Sequence, residues 1–321
     1  MSKKILITGF SGFVARHFIE YMIKDELDVE IWGLDINPPT YLMEEYRKSI
    51  NISFEIIDLL NQTQLKIFLD RVRPDYILHL ASYSSVAYSW ENPRLSFVNN
   101  TNIFLNLVQA VKESEIKCRI LSVGSSEEYG NYRMEDLPLR EDYSLNPSSP
   151  YAVARVSQEM LSKIFVKNFG MDIIMTRSFN HIGPWQDSRF VVAGFIEKVL
   201  EIKKSGQKFG EIEVGDLSII RDFTDVRDVV RAYWLLLCDG KTGEVYNVCS
   251  GKGIKIKNIL QIIGQNLKIE IIGRPVEKYM RPNDNKVVIG SNEKIFKELG
   301  WKPEIGLYTT INDMVKMKID F

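Results

Sequence analysis

Residues 4–17 read KILITGFSGFVARH. The apolar run Ile5-Leu6-Ile7 is short enough for a buried strand. A glycine-spaced turn, Gly9-x-x-Gly12-x-x-Ala15, follows at once, and Phe13, Val14, Phe18, Ile19 and Met22 then recur with helical spacing. Strand, tight turn and helix together form a construction that holds a dinucleotide pyrophosphate. Glycine lets the backbone approach the phosphates, and the helix N-terminus offers unpaired N–H groups and a partial positive charge. Asp35 closes the next apolar run, 20 residues beyond Ala15, where a carboxylate takes a pair of ribose hydroxyls. The plainer reading of Asp35 is a strand-end turn former.

The chain has 321 residues, is 45% hydrophobic and carries a net charge of −1. That suffices for one large core or two modest ones. Basic residues are scattered, so neither nucleic acid nor an anionic membrane surface is expected as a partner. The three cysteines, Cys118, Cys238 and Cys249, lack metal-type spacing, and a low odd count suits a reducing, cytoplasmic setting. His17, His79 and His181 are dispersed, and no metal is expected. No apolar run approaches the ~18 residues of a membrane span, and entry straight into a strand leaves no leader peptide to expect.

Strand-like and helix-like runs alternate through the first half, with strands expected at 5–8, 29–35, 54–57, 76–80, 119–123 and 171–177. Helices are expected between them at 12–24, 62–73, 95–112 and 151–168. Such repetition implies an α/β fold, a Rossmann-type doubly wound parallel sheet with ligands beyond the carboxyl ends of its strands. After Arg177 the regularity changes. Residues 180–189 read as a loop and 211–223 as short strands, and a smaller C-terminal α/β lobe is expected to bind the substrate. The cofactor domain is expected to span 1–178 plus about 219–250, the latter returning to the main sheet. The lobe then takes about 179–218 plus 251–321.

The chemistry gathers at two places. LSVGSSEEYG, 121–130, puts Ser125 and Ser126 at the sheet's carboxyl edge. Tyr151 opens a helix 26 residues after Ser125, and Arg155 follows at i+4 on the same face. A cation there stabilises a phenolate, so Tyr151 can exchange a proton with a sugar oxygen that Ser125 also holds. Hydride chemistry belongs to the nicotinamide.

These residues resemble an extended short-chain dehydrogenase/reductase of the nucleotide-sugar type. The matching pieces are TGFSGFVA (8–15), Asp58-Leu59, HLAS (79–82), GSSEEYG (124–130), PYAVAR (150–155), RSFNHIGP (177–184), RDFTDVRD (221–228), VYNVCSG (245–251) and Arg281-Pro282. GSSEEYG, FNHIGP, RDFTDVRD and the GSN…GWKP ending most resemble the GDP-4-keto-6-deoxymannose reductases. The resemblance implies that Gly9, Ser11, Gly12, Phe13, Val14 and Ala15 meet the pyrophosphate, Asp35 the ribose, and Asp58 and Leu59 the adenine. It implies that Leu80, Ala81 and Ser82 line the cofactor channel, supported by Asn100. Ser125 and Tyr151 would carry proton transfer, with Arg155 in the usual lysine position and Glu127 in the place of the base of related 4,6-dehydratases. Ser126, Asn180, His181, Arg221 and Arg281 would meet the GDP-sugar. A homodimer through residues 95–112 and 151–168 is implied by resemblance alone.

Two departures stand out. The family pattern is Tyr-x-x-x-Lys, and here Arg155 replaces the lysine; arginine is longer, planar and not interchangeable with it. Asp35 would repel a 2′-phosphate, which favours NAD(H) over NADP(H), although many reductases of the subgroup use NADP. Arg16 reads as a solvated helix residue or a phosphate ligand, and His79 as a packed structural histidine. Tyr83, Tyr88 and Trp90, in a polar loop after the fourth strand, read as lining the sugar pocket or else capping the sheet, and Asp222, Asp225 and Asp228 as turn and helix-start residues rather than metal ligands. Three functions stay open. The first is reduction at C4 of a GDP-4-keto-6-deoxy-hexose or -heptose for surface polysaccharide. The second is an NAD-retaining C4 dehydrogenase, epimerase or 4,6-dehydratase. The third is a non-catalytic dinucleotide sensor.

Overall fold

The computed structural model describes residues 2–41, 43–280 and 285–320. The first strand, β1 (Lys3–Thr8), is followed by α1 (Phe13–Lys24), β2 (Val29–Asp35), α2 (Met43–Arg47), β3 (Asn51–Ile56), α3 (Gln62–Val72), β4 (Tyr76–His79), α4 (Val86–Glu91) and α5 (Pro93–Glu113). Then come β5 (Arg119–Ser125), α6 (Pro150–Phe169), β6 (Asp172–Ser178), β7 (Asn180–Ile182), α7 (Val191–Lys204), β8 (Phe209–Val214), β9 (Ile220–Asp225), α8 (Val226–Asp239) and β10 (Val245–Val248). The chain closes with β11 (Gly253–Lys255), α9 (Ile256–Leu267), β12 (Glu270–Pro275), β13 (Val287–Val288), α10 (Glu293–Leu299) and α11 (Leu307–Asp320).

Seven strands form one parallel sheet in the order β10-β6-β5-β4-β1-β2-β3. The expected doubly wound architecture is therefore present. Strand order reverses between β1 and β4, so a crevice opens beyond their carboxyl ends. Side chains alternate across the sheet. Ile5 and Ile7 enter the apolar layer under α1 and α8 with Phe18, Val229 and Tyr233. Leu6 enters the opposite layer with Phe68 of α3 and Phe104 and Leu107 of α5. All three β1 residues are fully buried, at about 1.5–3 kcal/mol each.

The second region has its own core, built from Val192 and Ile196 of α7, Ile259 and Ile263 of α9 and Met314 of α11. β8 pairs with β12, and β9 is flanked by β7, β11 and β13. Several expectations change here. Of 219–250, β10 rejoins the main sheet and α8 packs on α1, but β9 stays in the small sheet. Residues 180–182, expected as loop, form β7, because they find a partner in β9. The stretch after β4 is not all loop: Ser85 accepts a hydrogen bond from Tyr88 N (3.2 Å) and caps α4. The third strand starts at Asn51, three residues early, since pairing with β2 continues through a polar stretch.

Three aspartates tie the two regions together. Asp222 accepts from Ser250 N (2.8 Å), Gly251 N (3.0 Å) and Gly290 N (3.3 Å). Asp225 caps α8 through Arg227 N and also accepts from Thr310 Oγ1 at 2.7 Å. Asp228 accepts from the backbone of Glu304 (2.9 Å) and Ile305 (2.8 Å). Asp225 and Asp228 are the helix-start residues expected, at the N-cap and in the first turn of α8; all three also join distant segments.

A buried polar network supports the end of β5. Glu128 is fully buried, and its Oε1 accepts from Ser125 N at 2.7 Å. Its carboxyl also meets that of Glu159, a contact that needs a proton on one of the two. Glu128 Oε2 has no other hydrogen-bond partner among the described residues. Burial, then the negative charge of Glu159, pushes the Glu128 carboxyl well above its ordinary range. Burial acts on Glu159 too, but Arg177 (2.9 and 3.0 Å) and Lys163 (2.7 Å) outweigh it and hold that carboxyl at about 2. Removing one partner of such a buried pair costs about 3–5 kcal/mol.

A carboxyl kept protonated in the fold lowers stability as pH rises, because the unfolded chain releases its proton from about pH 4.3 upward. Glu128→Gln keeps an oxygen for Ser125 N and removes that proton. The melting temperature of the variant, relative to the native chain, should therefore rise steadily from pH 5 to pH 9. A difference constant across that range would place the proton elsewhere.

Candidate active site

The crevice at the strand reversal begins with Gly9. Its φ of +70° is open to glycine at little cost, and a Cβ there would lie 2.7 Å from Ala81 N. Gly12 N donates to Gly9 O at 3.1 Å, and Gly12 opens α1 without a side-chain cap. Its first N–H groups therefore face the crevice uncapped. Ser11 and Asp35 meet directly: Ser11 N donates to Asp35 Oδ2 at 2.9 Å, and Ile36 N (2.7 Å) and Asn37 N (3.2 Å) donate to Oδ1. Asp35 is thus a turn former and a fixed carboxylate at the crevice mouth at once. Asp58 is exposed at the end of β3, whereas Leu59 is buried in the layer beneath, so Asp58 is the one of the pair that presents a side chain.

The opposite wall is β4 and the segment after it. Thr8 Oγ1 lies 2.8 Å from His79 Nδ1 and accepts from Ala81 N at 3.3 Å. Burial, then the charge of Arg155, lowers the pKa of His79 to about 3, so its ring is neutral. Leu80, Ala81 and Ser82 are partly buried along this wall. Asn100 accepts from Tyr83 N (2.7 Å) and donates to Tyr83 O (3.2 Å), which pins the segment. Phe13 stacks on His181 with centroids 5.8 Å apart, and Val14 packs on the core. Burial lowers the His181 pKa, while its hydrogen bond with Phe179 O opposes this. Arg16 is not solvated: its guanidinium lies 3.5 Å over the Trp185 ring and its Nε donates to Glu20 at 3.0 Å.

Ser125 ends β5 and begins a tight 3-10 turn, 126–129, against which α6 packs. Its Oγ accepts from Glu127 N at 3.2 Å. Ser126 is buried and Glu127 half-buried. Ser149 caps α6 through Ala152 N (3.1 Å), and Pro150 suits its first turn. Tyr151 and Arg155 then share one face, and Arg155 Nε donates to Tyr151 Oη at 3.2 Å. Asn180 and His181 on β7 pair with Phe223 and Thr224 on β9, the strand that also carries Arg221, and Asn180 Nδ2 donates to Asp222 O at 3.4 Å. Arg221 Nη1 donates to Ile220 O (3.0 Å) and Asn285 O (2.7 Å). Arg281 lies outside the described residues.

Two contributors escaped the sequence reading. Glu128 looks like a twin of Glu127, and nothing local shows that it is the buried one. Gln158 carries a usable signal: 151, 155, 158 and 162 fall at i, i+4, i+7 and i+11, a polar stripe on a buried helix face. Among the described residues no cluster of His, Cys, Asp or Glu could hold a metal ion. The close glycine turn, the uncapped start of α1 and the Asp35 carboxylate suit a dinucleotide, whose nicotinamide would supply hydride transfer.

The family model described as GDP-mannose 4,6 dehydratase matches residues 6–314. GDP-6-deoxy-D-mannose reductase of Pseudomonas aeruginosa is 32% identical over 95% of this chain and 93% of its own length. UDP-glucuronate 4-epimerase of Thermodesulfobacterium geofontis is 29% identical over 96% of this chain and 94% of its own. The solved structure of RMD from Pseudomonas aeruginosa complexed with NADPH superposes with a TM-score of 0.81 at 29% identity, covering 98% of each chain. With a glycine turn, Asp35 and a Tyr151–Arg155 pair set around one parallel sheet, the chain belongs to the GDP-mannose 4,6 dehydratase family of extended short-chain dehydrogenases/reductases, NAD(P)-dependent enzymes acting on nucleotide sugars.

Proposed function

We propose that this enzyme reduces the C4 ketone of a GDP-4-keto-6-deoxy-hexose or -heptose. The observation that carries the reading is Arg155 Nε at 3.2 Å from Tyr151 Oη, on a helix packed against the turn that starts at Ser125. Likeness to a GDP-6-deoxy-D-mannose reductase along 95% of the chain supports the substrate class. Tyr151 donates its proton to the C4 oxygen as hydride arrives at the carbon, and Ser125 donates a hydrogen bond to the same oxygen. Arg155 orients the phenol and holds the nicotinamide ribose. Gly9, Ser11, Gly12, Phe13 and Val14 receive the pyrophosphate, Asp58 and Leu59 the adenine, and Leu80, Ala81 and Ser82 the rest of the channel, with Asn100 behind them. Ser126, Asn180, His181, Arg221 and Arg281 meet the sugar nucleotide, the guanidinium groups pairing with its diphosphate.

The cofactor reading is NAD(H). Three backbone donors fix the Asp35 carboxylate, and a 2′-phosphate beside it would meet like charge at short range. The same carboxylate favours a second reading, a chain that retains NAD and oxidises C4 transiently for epimerisation or, with Glu127 as base, dehydration. Residues 1–178 with α8 and β10 serve the cofactor, and the remainder, β9 with Arg221 included, the sugar. Leu95 and Val98 of α5 and Met160 and Ile164 of α6 are exposed apolar residues on two packed helices, which supports a homodimer. Among the described residues no helix is long and apolar enough to cross a membrane, and the reading places the enzyme in the cytoplasm.

With a GDP-4-keto-6-deoxy sugar as substrate, Tyr151→Phe should lower kcat by about a hundred- to ten-thousandfold and leave NADH affinity nearly intact. Turnover close to that of the native enzyme would remove Tyr151 from proton transfer. NADH should bind more tightly than NADPH, and Asp35→Asn should narrow the gap. Tighter NADPH binding by the native enzyme would refute the cofactor reading. Mass analysis of the dinucleotide released on denaturation separates the two functions: stoichiometric NAD supports the retained-cofactor cycle, and an empty protein the simple reductase.

A further inference from the structure

Arginine at position 155 poses a problem that lysine does not. Its planar fork carries five N–H donors, and in a buried place each donor left without an acceptor is costly. Arg155 is 5% exposed. Nε goes to Tyr151 Oη, and Nη1 goes to Val123 O at 3.2 Å and to Gln158 Oε1 at 2.6 Å. Gln158 is 1% exposed and fully engaged: its Nε2 donates to Ser122 Oγ at 2.8 Å and to Val123 O at 3.1 Å. Ser162 Oγ, one turn on, donates to Ser122 Oγ at 3.2 Å. The guanidinium is thus pinned to β5 at one end and to the phenol at its middle. Nη2 has no hydrogen-bond partner among the described residues and is left as a spare donor.

We propose that Gln158 is the positioning residue that makes arginine workable at position 155, so that Arg155 and Gln158, anchored through Ser122, act as one unit in holding the nicotinamide ribose. A glutamine fits because it offers an acceptor to the guanidinium and two donors to β5 at the same time. A carboxylate would face Val123 O without a donor, and an apolar side chain would leave Nη1 only the carbonyl oxygen it shares. A lysine at 155 would end in a single ammonium and make no use of the Gln158 oxygen. The inference rests on the reading of Arg155 as a cofactor residue.

The test is a double-mutant cycle read by NADH binding, which needs no sugar substrate. Gln158→Met should raise the NADH Kd about tenfold in the native background, the scale of one hydrogen bond to a charged group, and by less than about twofold in an Arg155→Lys background. Ser122→Ala should show the same dependence on residue 155 with a smaller effect, and it carries the test if Gln158→Met does not fold. Equal weakening in both backgrounds would mean a merely structural glutamine and would overturn the proposal. So would unchanged NADH binding when either residue is altered beside Arg155. Failure of the native protein to bind NADH at all would overturn the cofactor reading itself, and this inference with it.

Discussion

The close approach of the β1 exit turn to the β4 exit is the constraint on which the site depends. At Gly9 the backbone turns through φ +70° against the Ala81 backbone, with no room for a Cβ. Apolar burial does not pin this approach, because Ile5, Leu6 and Ile7 would satisfy either face of a sheet buried on both sides. Thr8 does pin it. Its hydroxyl meets His79 Nδ1 and Ala81 N at once, and a slip of one residue would strand these buried polar groups. Two parallel strands are thereby locked at the point where their order reverses and a crevice opens.

The carboxyl end of β5 is held by polar groups that burial alone would expel. Desolvation acts on Glu128 and Glu159 alike, and the difference between them is the company each keeps. Glu159 has a guanidinium and an ammonium within hydrogen-bond distance and stays ionised; Glu128 has one backbone N–H and a neighbouring negative charge and stays protonated. The neutral acid ties the turn at Ser125 to α6, and α6 carries Tyr151 and Arg155. Ordered polar networks of this kind cost stability when broken, because each orphaned partner remains dry. They also set side-chain geometry more tightly than apolar packing does, and here they fix the turn at Ser125 against the helix that carries Tyr151.

The smaller region is joined to the sheet by carboxylates serving backbone amides. Asp222, Asp225 and Asp228 lie on β9 and the start of α8, at intervals of three residues. They reach distant segments near residues 250 and 290, at 310, and at 304–305. The charge of each is spread over N–H donors, so none is spare for a metal. Phe13 stacked on His181 and Arg16 over Trp185 add contacts between α1 and the segment after β6. The glycine turn and the expected sugar-binding strands are therefore parts of one packed unit.

Local pattern was enough for the strand–turn–helix at 4–17, the alternation of strands and helices to residue 178, and the shared face of Tyr151 and Arg155. Each depends on periodicity, turn chemistry or helical spacing within a short stretch, and such forces act between near neighbours. What local pattern could not supply was pairing across the chain. β7 is a strand only because β9 lies beside it. β9 is kept from the main sheet by partners more than thirty residues away in sequence. Which of the adjacent glutamates is buried is decided by Glu159 and Arg177, on α6 and β6. The fitness of arginine at 155 is decided by Ser122 and Val123 on β5 together with Gln158. The sequence by itself determined the elements and the chemical groups they carry; the tertiary structure alone decided which buried groups are charged and which donors have acceptors, because desolvation and hydrogen bonding depend on neighbours that only folding brings together.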